Sequence, residues 1–270
     1  MAPTQLDLFA DPMATRSSFD ATRAPRVDAA SLSDAALIAA LPGAALADAR
    51  ALAAEAGRRR LGEAVPALTA LCNRLAGFGA ESEVLEQAAA LEALAAIGGA
   101  EAARSVGRLI ERQVVQGPNL AAAALAASKL GVIIPRERAP ALLRHADPTV
   151  RAAICACVRA SPEVVAALIE LLGDFDREVA IASACALGRM GKAEALATLK
   201  RCLTERPSPR VVEAVTTVAD DDAIVLLARV ARGRPDLVVP VLAALDEIDR
   251  PRAANTASAL RRWLVETDPG

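Results

Sequence analysis

The sequence predicts an all-α protein, a right-handed α-solenoid of stacked antiparallel helix pairs. Three observations support this prediction. Hydrophobic residues make up 54% of the 270 residues but aromatic residues only 2%, with no tyrosine, and a core rich in Ala, Leu and Val favours helices over strands. Similar helix pairs recur about every 30 residues, a spacing typical of helical solenoids. Capping residues, prolines and glycines mark the ends of these segments.

The clearest repeat unit spans residues 161–191. A Ser-Pro pair starts an amphipathic helix, a short turn rich in Asp follows, and a second helix runs back and ends at a glycine. The preceding segment, 138–158, repeats this arrangement, and Val150 holds in it the place that Val179 holds in the next unit. Each unit is therefore expected to form one antiparallel helix pair.

Comparable pairs cover most of the remaining chain. A weaker unit is predicted over residues 33–62, and a last helix over 251–266 would cap the stack. The other predicted pairs are 63–76 with 83–97, 100–115 with 118–130, 192–203 with 209–218, and 220–232 with 235–248. Because each unit buries its apolar face only against its neighbours, about seven units would stack around one continuous core.

Two segments of these units carry a known pattern. The turn Asp-Pro-Thr-Val-Arg at 147–151 and the segment Ala-Cys-Ala-Leu-Gly-Arg-Met-Gly at 184–191 resemble the HEAT repeat, especially its short bacterial form. The resemblance covers roughly residues 63–249. It implies that the aspartate caps the second helix, that the valine packs between helices, and that the paired glycines let consecutive units approach closely. It implies an architecture more than an activity, since such solenoids mostly serve as binding scaffolds.

Residues 1–30 differ from the repeats. They contain Pro3, Pro12 and Pro25 and show no sustained helical period. This composition predicts a flexible N-terminal tail, with the solenoid occupying residues 31–270.

The tail contains the pentapeptide Gln5-Leu6-Asp7-Leu8-Phe9. All five positions match the bacterial sliding-clamp-binding motif, whose consensus is Gln-Leu, then Ser or Asp, then Leu-Phe. The resemblance implies that Gln5 hydrogen-bonds in a small subsite of the clamp while Leu8 and Phe9 fill an apolar pocket. Two apolar anchors and one amide on a polar, mobile strand also suit a short linear motif. The sliding clamp of the DNA polymerase is therefore the first predicted partner.

Two other interpretations of the pentapeptide stay open. In one, Leu6, Leu8 and Phe9 fold back as a hydrophobic lid over the first repeat, and the protein is a general scaffold for protein-protein interactions. In the other, the same residues bind a different partner.

The charge balance argues against unassisted binding to nucleic acid. The chain has 31 basic and 33 acidic residues and a net charge of -2, so no global positive field attracts phosphates. Arg58, Arg59 and Arg60 form the densest basic run and are the candidate phosphate contacts. A second basic region contains Arg229, Arg232, Arg234, Arg250, Arg252, Arg261 and Arg262. Alternatively, these arginines stabilise helix ends and are neutralised by nearby acids. Weak local contact with DNA stays open.

No catalytic, cofactor-binding or metal-binding constellation is predicted. His145 is the single histidine and lies near a helix end beside Asp147, where it suits a cap. The acidic run 220–222 starts a helix rather than an EF-hand loop. The five cysteines lack the CxxC spacing of zinc or redox sites and are expected to be buried, reduced thiols.

Two enzyme classes built on HEAT-like repeats fit poorly. Dimetal hydroxylases of this architecture need paired His-Glu motifs, which the sequence lacks. DNA glycosylases of this architecture need aromatic side chains and a carboxylate in a basic groove, whereas the only tryptophan is Trp263, near the C-terminus. The protein is therefore predicted not to be an enzyme, with a glycosylase or lyase as the less favoured alternative.

No segment reaches the roughly 18 unbroken apolar residues of a membrane-spanning helix. The first residues, with Asp7 and Asp11, do not fit a secretory signal. We therefore expect a cytoplasmic protein with no membrane partner. The sequence favours a non-enzymatic adaptor in DNA replication or repair that binds the clamp through its tail and a second partner, protein or DNA, through the solenoid.

Overall fold

The computed structural model describes residues 27–78 and 81–267, and over these residues the protein consists of fifteen α-helices without a β-strand. The helices are α1 (Asp34–Ala40), α2 (Leu46–Arg59), α3 (Val65–Arg74), α4 (Leu85–Ile97), α5 (Gly99–Glu111), α6 (Asn119–Lys129), α7 (Ala139–Leu143), α8 (Pro148–Ile154), α9 (Pro162–Leu171), α10 (Arg177–Arg189), α11 (Leu196–Glu205), α12 (Pro209–Thr216), α13 (Asp221–Gly233), α14 (Val238–Glu247) and α15 (Pro251–Thr267). The all-α prediction is confirmed, and every predicted helix pair is present with bounds shifted by a few residues.

The helices stack in two layers. The even-numbered helices from α2 to α14 pack side by side, each against the next, and each odd-numbered helix packs against the even-numbered helix that follows it. Neighbouring odd-numbered helices contact each other less, notably α5 with α7 and α9 with α11. The even layer is thus the more tightly spaced side of the stack. This arrangement confirms the predicted solenoid.

Short polar side chains begin the helices, as the repeat pattern implies. The Oδ1 atom of Asp147 accepts a hydrogen bond of 2.7 Å from the Thr149 amide at the start of α8. In the next repeat the Oδ1 atom of Asp176 accepts from the amides of Glu178 and Val179, at 2.9 and 3.1 Å. Each carboxylate satisfies backbone donors that a helix start leaves without partners.

One hydrophobic core runs through the stack. Val150 and Val179, the valines that hold equivalent places in the two clearest repeats, are fully buried, as is Leu187 on α10. The implied packing of the valines between helices is therefore confirmed.

The implied close approach at paired glycines is confirmed for one glycine and wrong for the other. A Cβ atom on Gly188 would lie 2.3 Å from the carbonyl oxygen of Ala214 on α12, so only a glycine fits there. Gly191 has open space around it and a φ of 68°. It ends α10 by adopting the left-handed conformation and allows no close approach between repeats.

The helix α15 closes the stack. It is the longest helix, with 17 residues, and packs against α13 and α14, as the predicted terminal cap should. Among the described residues, no helix combines the length and the apolar character needed to cross a membrane.

Candidate interaction surfaces

The predicted clamp-binding residues Gln5, Leu6, Asp7, Leu8 and Phe9 lie outside the described residues. Their role stays a prediction. The described chain begins at Val27, whose amide donates a hydrogen bond of 3.2 Å to the Oδ1 atom of Asp48 on α2. The chain is thus already held against the first long helix at this residue.

The basic run Arg58-Arg59-Arg60 lies at the C-terminal end of α2, where two of its side chains pair with Glu55. Arg58 donates from Nε and Nη2 to the two oxygens of this carboxylate at 2.7 and 2.6 Å, and Arg59 donates from Nε at 2.6 Å. The hydrogen bonds from Arg58 and then Arg59 lower the pKa of Glu55 to about 2. Neutralisation of this run by a nearby acid is therefore observed for Arg58 and Arg59.

Arg59 also fastens the N-terminal segment to the solenoid. Its Nη1 donates to the carbonyl of Leu32 and to Asp34, both at 2.8 Å, and its Nη2 donates to the carbonyl of Ala30 at 2.9 Å. Arg60 ends α2 with a φ of 55°; its side chain is exposed and forms no ion pair within residues 27–78 and 81–267. Phosphate contact by this run stays a prediction, and Arg60 is its least engaged member.

The exposed face of the even layer differs between its two halves. On its N-terminal half, Leu46 on α2, Leu85 on α4 and Leu125 on α6 are 46%, 39% and 54% exposed. Partly exposed alanines lie about one turn away on α4 and α6, for example Ala89 and Ala122. These three helices therefore expose some apolar side chains.

The C-terminal half of the even layer contains two buried thiols, Cys155 and Cys185, and two exposed arginines, Arg189 and Arg210. Burial raises the pKa of Cys155 to about 12, while the nearby charges of Arg210 and Arg189 act in the opposite direction. The same two arginines influence Cys185 on α10. Both arginines are exposed, and their charges act on both thiols. All five cysteines are buried, free thiols, as predicted.

The other residues that the sequence singled out have structural roles. The Nδ1 atom of His145 accepts a hydrogen bond of 3.1 Å from the Asp147 amide, so the histidine helps to form the turn after α7. Asp220 accepts from the Ala223 amide at 2.9 Å and pairs with Lys200, which confirms a helix start. Over the part of the chain that the structure describes, no group of three or more His, Cys, Asp or Glu side chains is placed to hold a metal ion.

Comparison with known protein families finds a match within the solenoid. Residues 135–220, about a third of the chain, match a family model described as HEAT repeats. No curated protein sequence matches the chain significantly. The match spans α7 to α12, which include both segments that carry the HEAT pattern in the sequence. Residues 135–220 are therefore similar to HEAT repeats, and helices on both sides extend the same two-layer stack.

Proposed function

We propose that the protein is a non-enzymatic adaptor that binds the bacterial DNA sliding clamp through its N-terminal tail and a second partner, protein or DNA, through its solenoid. Repeat stacks of this kind generally serve as scaffolds for protein interaction because they expose a long surface. The proposal of clamp binding rests on the pentapeptide Gln5-Leu6-Asp7-Leu8-Phe9, which agrees with the clamp-binding motif at all five positions. An adaptor of this kind acts in DNA replication or repair.

The proposal implies weak but specific binding. A peptide that buries Leu8 and Phe9 and satisfies the amide of Gln5 must also lose the conformational freedom of a flexible strand. The expected affinity is therefore micromolar, roughly −7 to −9 kcal/mol. Since the two apolar side chains are the anchors, most of this free energy depends on them.

The test is a calorimetric titration of purified bacterial clamp with a peptide of residues 1–12, and then with the whole protein. The double change Leu8→Ala and Phe9→Ala should cost several kcal/mol of binding, and Gln5→Ala about 1 to 2 kcal/mol. In the whole protein, Phe19→Ala removes a phenylalanine of the N-terminal segment outside the motif; it is the matched control and should bind like the wild type. No detectable binding at about 100 μM clamp, where a micromolar site is nearly saturated, would refute clamp binding.

A second candidate function, a general scaffold with the tail as a lid, has its own supporting observation. A cleft of about 530 Å³ lies where the described chain begins, between residues 27–30 and the surface of α2 formed by Ala51, Ala54 and Arg58. Its alanines offer an apolar floor to Leu8 and Phe9. Deleting residues 1–12 should then lower the melting temperature by several degrees, whereas the adaptor proposal expects no change.

A further inference from the structure

A groove lies between α13 and α15, on the odd layer at the C-terminal end of the stack. It measures about 670 Å³. Its lining residues are Asp221, Val225, Ala228, Arg229, Arg232, Arg252, Asn255, Thr256 and Ala259. The groove extends along α13 over three helical turns, from Asp221 to Arg232, which corresponds to about 16 Å.

The walls of this groove carry excess positive charge. Arg229 and Arg232 are exposed, and within residues 27–78 and 81–267 neither forms a hydrogen bond or an ion pair through its side chain. Arg252 lies 3.3 Å from the carboxylate of Asp221, which also pairs with Arg250. The lining therefore contains three guanidinium groups and one carboxylate, and this carboxylate is shared with a fourth arginine.

The floor of the groove is made of small side chains. Ala228 on α13 and Ala259 on α15 let the two helices form an open channel, beside Val225, which is 39% exposed. Asn255 adds an amide that can donate hydrogen bonds. None of the lining residues is aromatic, so stacking on bases is not available.

We propose that this groove binds the phosphodiester backbone of nucleic acid. Arg229 and Arg232 are three residues apart on one helix, so their side chains are neighbours on the same face. Guanidinium groups pair with phosphate oxygens in a fixed fork geometry. One strand of B-form DNA carries a phosphate about every 3.4 Å, so a groove about 16 Å long faces about four or five of them.

This geometry fixes the kind of recognition. Without aromatic rings or base-edge contacts, binding is independent of sequence and depends on salt, because each neutralised phosphate releases counterions. This groove would be the place where the solenoid of the proposed adaptor contacts DNA. It does not depend on clamp binding, since the groove lies in the solenoid and the pentapeptide in the tail.

The experiment is a fluorescence-anisotropy titration of the full-length protein with a labelled 12-nucleotide oligothymidylate, and separately with a 12-base-pair duplex. Each is titrated at several salt concentrations. The double change Arg229→Gln and Arg232→Gln should weaken binding about tenfold or more at low salt. It should also reduce the slope of log affinity against log salt by about 1.4 for the single strand, which corresponds to two lost phosphate contacts. If the double change weakens binding of both oligonucleotides equally, the groove accepts single-stranded and duplex DNA alike. If it weakens binding of only one, that form is the one that the groove binds.

Two control variants keep the test specific. Arg104→Gln on α5 together with Arg112→Gln at the residue after it removes the same charge; both arginines are exposed and have no ion pair among the described residues. Binding by this variant should stay within about twofold of wild type. Ala259→Leu fills the floor without changing the charge and should weaken binding by a comparable factor to the double arginine change.

Several outcomes would overturn the inference. The first is that neither oligonucleotide binds at low salt. The second is that the Arg104→Gln and Arg112→Gln variant loses as much affinity as the Arg229→Gln and Arg232→Gln variant. The third is that Ala259→Leu leaves binding unchanged. If poly-glutamate displaces the labelled oligonucleotide as effectively as unlabelled oligonucleotide does, the groove instead binds an acidic protein partner. Circular dichroism melts of each variant show whether it is folded, and deletion of residues 1–12 should leave DNA binding unchanged whether or not the clamp binds.

Discussion

The two layers of the solenoid hold consecutive repeats together by different forces. In the even layer, small residues let helices touch: a Cβ atom on Gly57 would lie 2.8 Å from the Cα atom of Ala93, and one on Gly188 would lie 2.3 Å from a backbone oxygen of the next even-numbered helix. Ion pairs bridge the repeats mainly on the odd side and at the first turns of the even-numbered helices; within the even layer, Arg50 on α2 pairs with Glu86 on α4 at 3.3 Å. These pairs include Arg144 with Glu170, Arg151 with Asp174, Arg177 with Glu205, and Lys200 with Asp220.

This contrast between the two layers indicates which contacts set the spacing between repeats. Close packing of backbone against backbone has a steep distance dependence, so the even layer fixes one spacing and tolerates no added atoms. Exposed ion pairs are weak, screened by salt and adaptable.

The largest effect is expected from a charge in the core of the even layer. Leu187 on α10 is fully buried, so Leu187→Asp would place an unpaired carboxylate among apolar side chains and cost at least about 3 kcal/mol of unfolding free energy. The matched control is Leu125→Asp on α6, at a leucine that is 54% exposed; it should change stability by less than about 1 kcal/mol. Thermal melts check both, and similar melting temperatures for the two variants would contradict the assigned core.

The next effect comes from one methyl group between even-numbered helices. Gly188→Ala would bring Cβ against the backbone of Ala214, which no side-chain rotation can relieve. We expect a net loss of about 2 to 3 kcal/mol, despite the better helix propensity of alanine.

The control for this change is Gly233→Ala, which meets nothing within 4 Å at the end of α13; it should be neutral within about 1 kcal/mol. Chemical denaturation measures both variants. A stable Gly188→Ala protein would show that the even layer can adjust its spacing.

The sequence predicted the helix pairs well because caps, prolines and the apolar period are local signals. It extended the helix pair of segment 138–158 to residue 158, whereas α8 ends at Ile154. The carbonyl of Cys157 accepts a hydrogen bond of 2.7 Å from the amide of Ile134 in the preceding loop. This tertiary contact competes with the helix, and no local pattern encodes it.

The candidate sites were less predictable because they depend on which arginines find a partner. The sequence grouped seven arginines near the C-terminus as one basic region. In the structure Arg234 pairs with Asp236 and Arg261 with Asp246, while Arg229 and Arg232 stay unpaired among the described residues and line a groove. Such pairing follows from the orientation of side chains on neighbouring helices, which composition does not show.

The partly buried ion pair between repeats should have an intermediate effect. Arg151 donates to both oxygens of Asp174 at 2.8 Å and to the carbonyls of His145 and Ala146. The side chains of Arg151 and Asp174 are 16% and 8% exposed. Arg151→Met keeps the aliphatic stem but leaves the carboxylate with the Asp176 amide as its one remaining hydrogen-bond donor among the described residues. It should cost about 1.5 to 2 kcal/mol.

This pair should also make stability depend on pH. The hydrogen bond from Arg151 lowers the pKa of Asp174 below its ordinary value. The pair therefore stabilises the folded state above the ordinary pKa of an aspartate, about 3.9, and this contribution is lost as the pH falls through the lowered pKa. Melts from pH 7 to pH 2 should show a smaller acid-dependent loss in Arg151→Met than in the wild type; parallel curves would mean that the pair contributes nothing.

The smallest effect is expected at the exposed ion pair between α7 and α9. Arg144 and Glu170 have the same bidentate geometry as the buried pair, at 3.0 and 2.9 Å, but their side chains are 50% and 60% exposed. Water and salt screen their attraction, and both long side chains lose conformational freedom when they pair. Arg144→Met should therefore cost less than about 0.5 kcal/mol.

A double-mutant cycle with Glu170→Gln, measured at low and at about 1 M salt, isolates the coupling between the two side chains. If the coupling exceeds about 1 kcal/mol or does not fall with salt, geometry rather than burial decides the strength of these bridges, and the proposed contrast between a rigid even layer and an adaptable odd side fails.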